Sequence, residues 1–309
     1  MQDRRSNTLT GTGGIGSLKP SVSGAIFILL VALGLASFSG GLMKILTATM
    51  EPALISFFRF LGYFILLFPL ALFQHGKTVF KPTQPKVQIL RGCALVFGNT
   101  AFIYGVQHVD YANSIAILYI YPFIMISFSV WILNETVSRG TWLGVVGGFA
   151  GVILVLRPNI ILMDFNGLFI VFAGMMVALQ MLLNRKLGMV TSPLIVAVWG
   201  ALVACIMSSL LVPFFWNVPS KSEIFIIIIL STTTALSQTL MIVAMSWASA
   251  DKIAPFTYFE IPSATLVGLL LFQTLPDILS LVGMALIIFS GLLVKLFSNK
   301  SELRLRNKF

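Results

Sequence analysis

The sequence predicts an all-α membrane protein with ten transmembrane helices in a five-plus-five inverted repeat. Three observations carry that prediction: apolar runs of membrane length recur along the chain, lysine and arginine collect on one side of those runs, and the two halves share a spaced residue pattern. Hydrophobic residues fill 58% of the 309 positions and charged residues only 10%, against about 25% charged in an average soluble domain. A water-surrounded core could not hide that much apolar surface. Runs of about 20 apolar residues match instead the length needed to cross about 30 Å of hydrocarbon as helix.

The expected spans are 22–43, 53–73, 88–107, 112–133, 140–157, 166–184, 193–215, 223–247, 254–273 and 278–297. Residues 1–21 are polar and rich in Gly, Ser and Thr, and read as a disordered cytoplasmic tail; residues 298–309 read as a basic cytoplasmic tail. Gly11, Gly13 and Gly16 spell G-x-G-x-x-G, but no strand precedes them and no helix-plus-acid unit follows, so the match is chance. The first apolar run is longer than the roughly 7–15 residues of a signal-peptide core, and it reads as a retained helix.

Charge placement orients the chain. With the N-terminus inside, Arg4, Arg5, Lys19, Lys77, Lys81, Lys86, Arg91, Arg139, Arg185, Lys186, Lys252, Lys295, Lys300, Arg304, Arg306 and Lys308 fall on the cytoplasmic side. Only Lys44, Arg157 and Lys221 fall on the other, and Arg59 lies inside a span. By the positive-inside rule both termini are cytoplasmic, and the expected location is the inner membrane. The net charge of +10 is then a topology signal and does not mark a nucleic-acid-binding face.

The halves are related as well. Leu133-Asn134-Glu135 followed by Gly144 has a counterpart in Phe272-Gln273-Thr274 followed by Gly283, and Pro122 and Pro262 interrupt the spans upstream. Residues 22–157 and 166–297 are therefore the expected repeats. Five is odd, so the second repeat enters the membrane from the opposite side. That architecture is typical of secondary transporters, whose site lies near the midplane between the repeats.

Helices in lipid satisfy their own backbone, so a polar side chain at depth needs a partner or a water-filled cavity. Arg59 and Glu260 are the charged examples. Glu260 could bind a cationic group or take up a proton, or make a structural hydrogen bond; Arg59 could hold an anionic group, pair with an acid or anchor its helix. Polar and aromatic residues thicken around them: Asn99, Thr100, Tyr104, Asn113, Tyr119, Tyr121, Ser237, Gln238, Thr239 and Tyr258. The candidate substrate-binding set is Glu260, Tyr258, Tyr104, Asn99, Tyr121, Gln238 and Arg59, lining a cavity that stacks a flat heterocycle. The competing readings are helix glue for the Ser, Thr and Asn residues and an interfacial belt for Tyr111 and Tyr119.

Other motifs are structural. Gly144 with Gly148, and Gly147 with Gly151, form overlapping G-x-x-x-G packing faces. Glu135 reads as an interfacial charge or cap. Cys93 and Cys205 lie in apolar runs without metal-ligand spacing, and His75 and His108 sit in loops on opposite sides. Gly76-Lys77-Thr78 resembles the end of a P-loop, but Ala71 stands where its first glycine belongs. Neither catalysis, a cofactor nor a metal is expected, and the partners are the bilayer and a small-molecule substrate, with no nucleic acid. Proton coupling and coupling to the substrate gradient both stay open, as does the oligomeric state.

The runs Ile89-Leu90-Arg91-Gly92, Tyr104-Gly105, Ala112-Asn113, Tyr121-Pro122, Leu133-Asn134-Glu135 and Leu156-Arg157-Pro158 resemble the first EamA domain of the drug/metabolite transporter superfamily. Ala254-Pro255-Phe256, Tyr258, Glu260 and Gly283 to Gly291 are similar to the second. The resemblance implies a secondary transporter that moves a small organic metabolite by alternating access without ATP. The second-half residues, with Pro276-Asp277, are similar to members that import S-adenosylmethionine; riboflavin importers and amino-acid exporters share the general pattern. A cofactor-like heterocycle is the expected cargo and amino-acid export the alternative. Thr274 stands where many members carry an acid, so no role passes to it.

Reporter fusions test the orientation. Fusions after Lys86, Lys186 and Lys308 should report cytoplasm and one after Lys221 the opposite side; a cytoplasmic signal at Lys221 overturns the ten-span topology.

Overall fold

The computed structural model describes residues 21–132, 139–156, 166–188, 190–247 and 254–306. Glu135, Arg157 and Lys252 lie outside the described residues.

Helices and tight turns account for all regular structure among the described residues. The first helix, α1 (Val22–Leu46), starts at Ser21, whose hydroxyl accepts from the Gly24 N–H at 3.0 Å. Helices α2 (Pro52–His75) and α3 (Pro85–His108) begin on proline, whose missing N–H is one the first turn does not use. Gly76 ends α2 at φ +56°, a left-handed conformation that glycine adopts without strain, and a 3₁₀ turn, Gly76–Phe80, follows.

The fourth expected span is broken. Helix α4 (Tyr111–Leu118) stops before Tyr119 and α5 (Tyr121–Ile132) resumes two residues later. Pro122 is the cause: in a continuous helix it would leave the Leu118 carbonyl without a donor and its ring would collide there. As the second residue of α5, Pro122 costs no hydrogen bond. Helices α6 (Arg139–Leu156) and α7 (Asn166–Gly188) follow. Expected span 193–215 also divides, into α8 (Pro193–Ser209) and the short α9 (Val212–Phe215). After α10 (Lys221–Trp247), the 3₁₀ turn Ala254–Phe259 leads into α11 (Glu260–Phe272), which carries Pro262 in its first turn. The last helix is α12 (Ile278–Arg306).

Seven of these stretches are long and apolar enough to cross a membrane, and Pro193–Ser209, Phe256–Phe272 and Ile278–Val294 are shorter apolar helices. The 17 residues of α8 rise about 26 Å, a little less than a bilayer core. Large apolar side chains face outward, with Phe73 90% and Ile278 82% exposed, a surface suited to lipid. The chain is a multi-pass membrane protein.

Packing arranges eight spans in a closed ring. Helix α2 packs on α8, α8 on α3, α3 on α7, and α7 on α4 and α5; α4 packs on α11, α11 on α1, α1 on α10, and α10 returns to α2. Helices α6 and α12 pack on each other and flank the ring at α4. Glycines permit the closest approaches: Gly62 lies against Ser231, Gly92 against Val203, Gly98 against Met176 and Gly105 against Ile170. Of the expected small-residue faces, Gly144, Gly147 and Gly151 meet α12, whereas Gly148 receives the Phe123 ring.

A Cβ at Gly151 would lie 2.9 Å from the Gly283 carbonyl oxygen, whereas one at Gly34 would meet nothing within 4 Å. Gly151→Ala should therefore destabilise the protein by about 1–3 kcal/mol and Gly34→Ala should not, measured as thermal unfolding in detergent. Equal midpoints would refute the tight α6–α12 contact.

Candidate functional site

Two polar clusters occupy the inside of the ring. The first centres on Arg59 of α2. Its Nη1 donates to Oδ1 of Asn99 and to Sδ of Met43, the latter at 2.8 Å, and its Nε is buried without a partner. Asn99 Nδ2 donates to Ser56 Oγ at 2.8 Å, and Ser56 Oγ lies 2.9 Å from Thr100 Oγ1. Helix α8 separates α2 from α3 around the ring, and α10 separates α2 from α1, so these bonds reach across its mouth. Lys44 Nζ donating to the Val109 carbonyl at 2.6 Å, and Gln107 Nε2 to the Thr47 carbonyl at 3.4 Å, tie α1 to α3 at the same end. The ring is closed where α1 ends and α2 begins.

The second cluster centres on Glu260, the first residue of α11. Its Oε2 lies 2.8 Å from the Tyr119 hydroxyl, which also lies 2.6 Å from the Thr257 carbonyl oxygen. One hydroxyl proton cannot serve both acceptors fully. Both contacts become good hydrogen bonds when Glu260 is protonated, because its O–H then donates to Tyr119 and Tyr119 donates to Thr257. The Tyr119 ring lies 5.4 Å from that of Tyr121 and 5.5 Å from that of Tyr258, so three aromatic rings gather beside the carboxyl.

Helix α1 touches this cluster through Ser37. The Tyr111 hydroxyl donates to the Ser37 carbonyl at 2.5 Å, and Ser37 Oγ donates to the Glu260 carbonyl at 3.4 Å. Tyr111 fits because Gly40 has no side chain to oppose its hydroxyl, and Gly291 makes the same room for Tyr258. Tyr111 and Tyr119 are 0% and 1% exposed, so neither belongs to an interfacial belt. Arg59 and Glu260 each bond to other groups, Arg59 to Asn99 and Glu260 to Tyr119. The two clusters thus carry a guanidinium on one side, and a carboxyl with π faces on the other.

The structure thus brings Arg59 together with Asn99, and Glu260 together with Tyr121 and Tyr258. Tyr104 lies elsewhere: with Thr100, Phe97, Phe169 and Phe172 it lines a lateral cavity of about 520 Å³ between α3 and α7, its ring 6.0 Å from Phe169. Gln238, on α10, is exposed and makes no hydrogen bond among the described residues. Its neighbours Ser237 and Thr239 bond to backbone, at the Ala32 and Ala235 carbonyls. Asn113 Oδ1 is buried without a partner. Among the described residues no group of three or more His, Cys, Asp or Glu could hold a metal.

Sequence reasoning missed Arg91 and Asn184. Arg91 counted as a cytoplasmic charge, but it is 7% exposed, donates from Nε to Asn184 Oδ1 and from Nη1 to the Val196 carbonyl at 2.9 Å, and rests in the space over Gly200. Arg91 sits near the start of α3 after a run of loop lysines, so only its place beside Gly92 inside an apolar stretch could have given it away. His75 is likewise more than a solvated loop residue, since its Nε2 lies 3.0 Å from Ser192 Oγ.

The described membrane helices thus form a ring around two polar clusters. Residues 22–157 match the EamA-like transporter family. Over 289 residues the chain is 28% identical to the S-adenosylmethionine uptake transporter of Rickettsia felis, covering 93% of this chain and 97% of that protein. It is 24% identical over 247 residues to the riboflavin transporter of Rhizobium johnstonii, covering 79% and 80%. A crystal structure aligns with a TM-score of 0.66 over 91% of this chain and 100% of that one at 17% identity, a likeness of fold.

Tyr119→Phe removes the hydroxyl shared by Glu260 and Thr257 and should cost about 1–3 kcal/mol of stability. Tyr104→Phe, whose hydroxyl has no hydrogen bond among the described residues, should cost almost nothing. Thermal unfolding of the two purified variants compares them directly.

Proposed function

We propose that the chain is a secondary transporter that carries S-adenosylmethionine, or a metabolite of the same chemistry, across the bacterial inner membrane by alternating access. The observation that carries the reading is the pair of polar clusters, Arg59 with Asn99 and Glu260 with its tyrosines, in a chain similar over 93% of its length to an S-adenosylmethionine uptake transporter. That metabolite has a sulfonium and an ammonium, a carboxylate and a heterocycle. The first two groups suit the Glu260 carboxylate and the faces of Tyr119, Tyr121 and Tyr258; the carboxylate suits the Arg59 guanidinium. Riboflavin is uncharged and would leave both poles idle. Amino-acid export would use the poles but not the stacking surfaces.

The helix pairings support ten spans in two inverted repeats, residues 22–157 and 166–297. Exchange α1 with α7, α2 with α8, α3 with α10, the α4–α5 unit with α11 and its 3₁₀ turn, and α6 with α12. Each ring pairing then maps onto another ring pairing or onto itself, and so does the α6–α12 pairing. Contacts follow suit: Gly144 meets Val294 and the Ser290 carbonyl, and Gly283 meets Val155 and the Gly151 carbonyl. With both termini cytoplasmic, the closed end faces the periplasm and this conformation opens inward.

Glu260 is the coupling site in this reading. Its carboxyl meets Tyr119 with full hydrogen bonding when protonated, and losing that proton inside a low-dielectric bundle favours capture of a cationic group. Uptake of labelled S-adenosylmethionine into proteoliposomes under an imposed proton gradient tests the cargo; uptake of riboflavin alone would overturn it. Glu260→Gln should abolish concentrative uptake while leaving the protein folded, because the amide N–H can still donate to Tyr119 but the side chain carries no exchangeable charge. Full concentrative uptake by that variant would remove Glu260 from coupling.

A further inference from the structure

The two ends of the ring differ. At one end Asn99 and Arg59 reach across it; at the other, the described side-chain bonds join only ring neighbours, as in His75 to Ser192, Trp199 to Val79 and Arg91 to Asn184 and Val196. Close contacts fix how the halves correspond. Gly62 against Ser231 is mirrored by Val203 against Gly92, and Gly98 against Met176 by Ser237 bonded to Ala32. Val96 and its equivalent Ala235 share one apolar cluster. In that register Asn99, seven residues after Gly92, corresponds to Gln238, seven after Ser231. Arg59, three residues before Gly62, corresponds to Gly200, three before Val203.

The counterpart of the engaged Asn99 is thus an amide side chain that is exposed and unbonded. The counterpart of Arg59 is a glycine, but the site is not without a guanidinium. Arg91 Nη1 occupies the space a Gly200 Cβ would fill, and Nη2 lies within 3.5 Å of that point with no hydrogen bond of its own among the described residues. Arg91 supplies from α3 the charge that α8 lacks. We propose that Gln238 and Arg91 form the second gate, Gln238 Oε1 accepting from Arg91 across the open end when the Arg59–Asn99 closure lets go.

This inference rests on the alternating-access reading and gives each side of the site its own arginine–amide latch. The latches would exclude one another: the repeats tilt as packed units, so closing one mouth draws the helices of the other apart. Neutral amide acceptors make both latches releasable. Glycine at 200 is then needed because a side chain there would displace the Arg91 head.

The test reads conformation without cargo, so failure of S-adenosylmethionine uptake leaves it intact. In full-length protein carrying Cys93→Ala and Cys205→Ala, spin labels at Ser23→Cys on α1 and Lys86→Cys on α3 report the width of the open end. Gln238→Glu strengthens the pairing with Arg91 and should raise the short-distance population about fivefold; Gln238→Leu should lower it by a similar factor. Asn99→Ala, which weakens the opposite latch, should raise it. A merely structural Gln238 would move both variants in one direction or neither, and that result overturns the proposal. Arg91→Lys should preserve the Gln238→Glu response and Arg91→Met abolish it; a response that survives Arg91→Met assigns the latch to another group and equally overturns it.

Discussion

A guanidinium inside a bundle whose outside is apolar must find its acceptors within the protein, and the closed end of this ring follows from how Arg59 does so. A charge at membrane depth costs about 2.5–3.5 kcal/mol on insertion scales unless it is met by partners or water. Arg59 is met by the Asn99 amide oxygen and the Met43 sulfur, which belong to helices that are not its neighbours in the ring. Satisfying it therefore pulls α1 and α3 toward α2 over the mouth. Because both acceptors are neutral, release exposes no orphaned anion. An ion pair with Glu260 would close the site more firmly and leave two buried charges whenever it broke.

The rest of the ring is held by shape. Helices in lipid gain little from burying apolar surface against one another, so association depends on close packing. The glycines meet that need at positions where any side chain would collide, as Gly92 does with Val203 and Gly105 with Ile170. Polar groups add short ties between neighbours, such as Ser39 to Thr234 at 2.7 Å. Tight seams thus hold neighbouring helices, whereas only hydrogen bonds to neutral acceptors span the mouth.

Much of this was legible in the sequence, for physical reasons. Spans are legible because hydrocarbon demands long apolar runs, and Arg59 and Glu260 stand out because charge in such a run is costly. The Gly144–Gly283 correspondence survives as a residue pattern because both helices approach too closely for a side chain. What could not be read was which neighbour each helix face meets. Tyr104 and Asn99 lie five residues apart on α3, yet Asn99 reaches Arg59 inside the ring and Tyr104 lines the lateral cavity. Arg91 resembled the loop lysines before it, since the Asn184, Val196 and Gly200 groups that receive it lie far along the chain. Tyr111 and Tyr119 resembled belt aromatics because their partners, Ser37, Thr257 and Glu260, are equally distant.

The breaks before Pro122 and Pro262 explain why the site lies where it does. Each proline removes a donor, so the carbonyls of Leu118 and Tyr258 lose their regular helical partners and the backbone leaves α geometry at those points. Irregular backbone is tolerated at membrane depth only where protein or a polar cavity surrounds it. The α4–α5 unit and α11 can meet that condition because α4 packs against α11 and the two breaks meet through the Tyr119 hydroxyl. Tyr119 stands in one break, and Thr257 and Glu260 at the 3₁₀-to-α junction of the other, so the bonds between them join the two interruptions. Straight helices through both spans would have placed Tyr119 and Glu260 within regular turns. The prolines thus bring the tyrosine–carboxyl contact to the junction of the two interrupted spans.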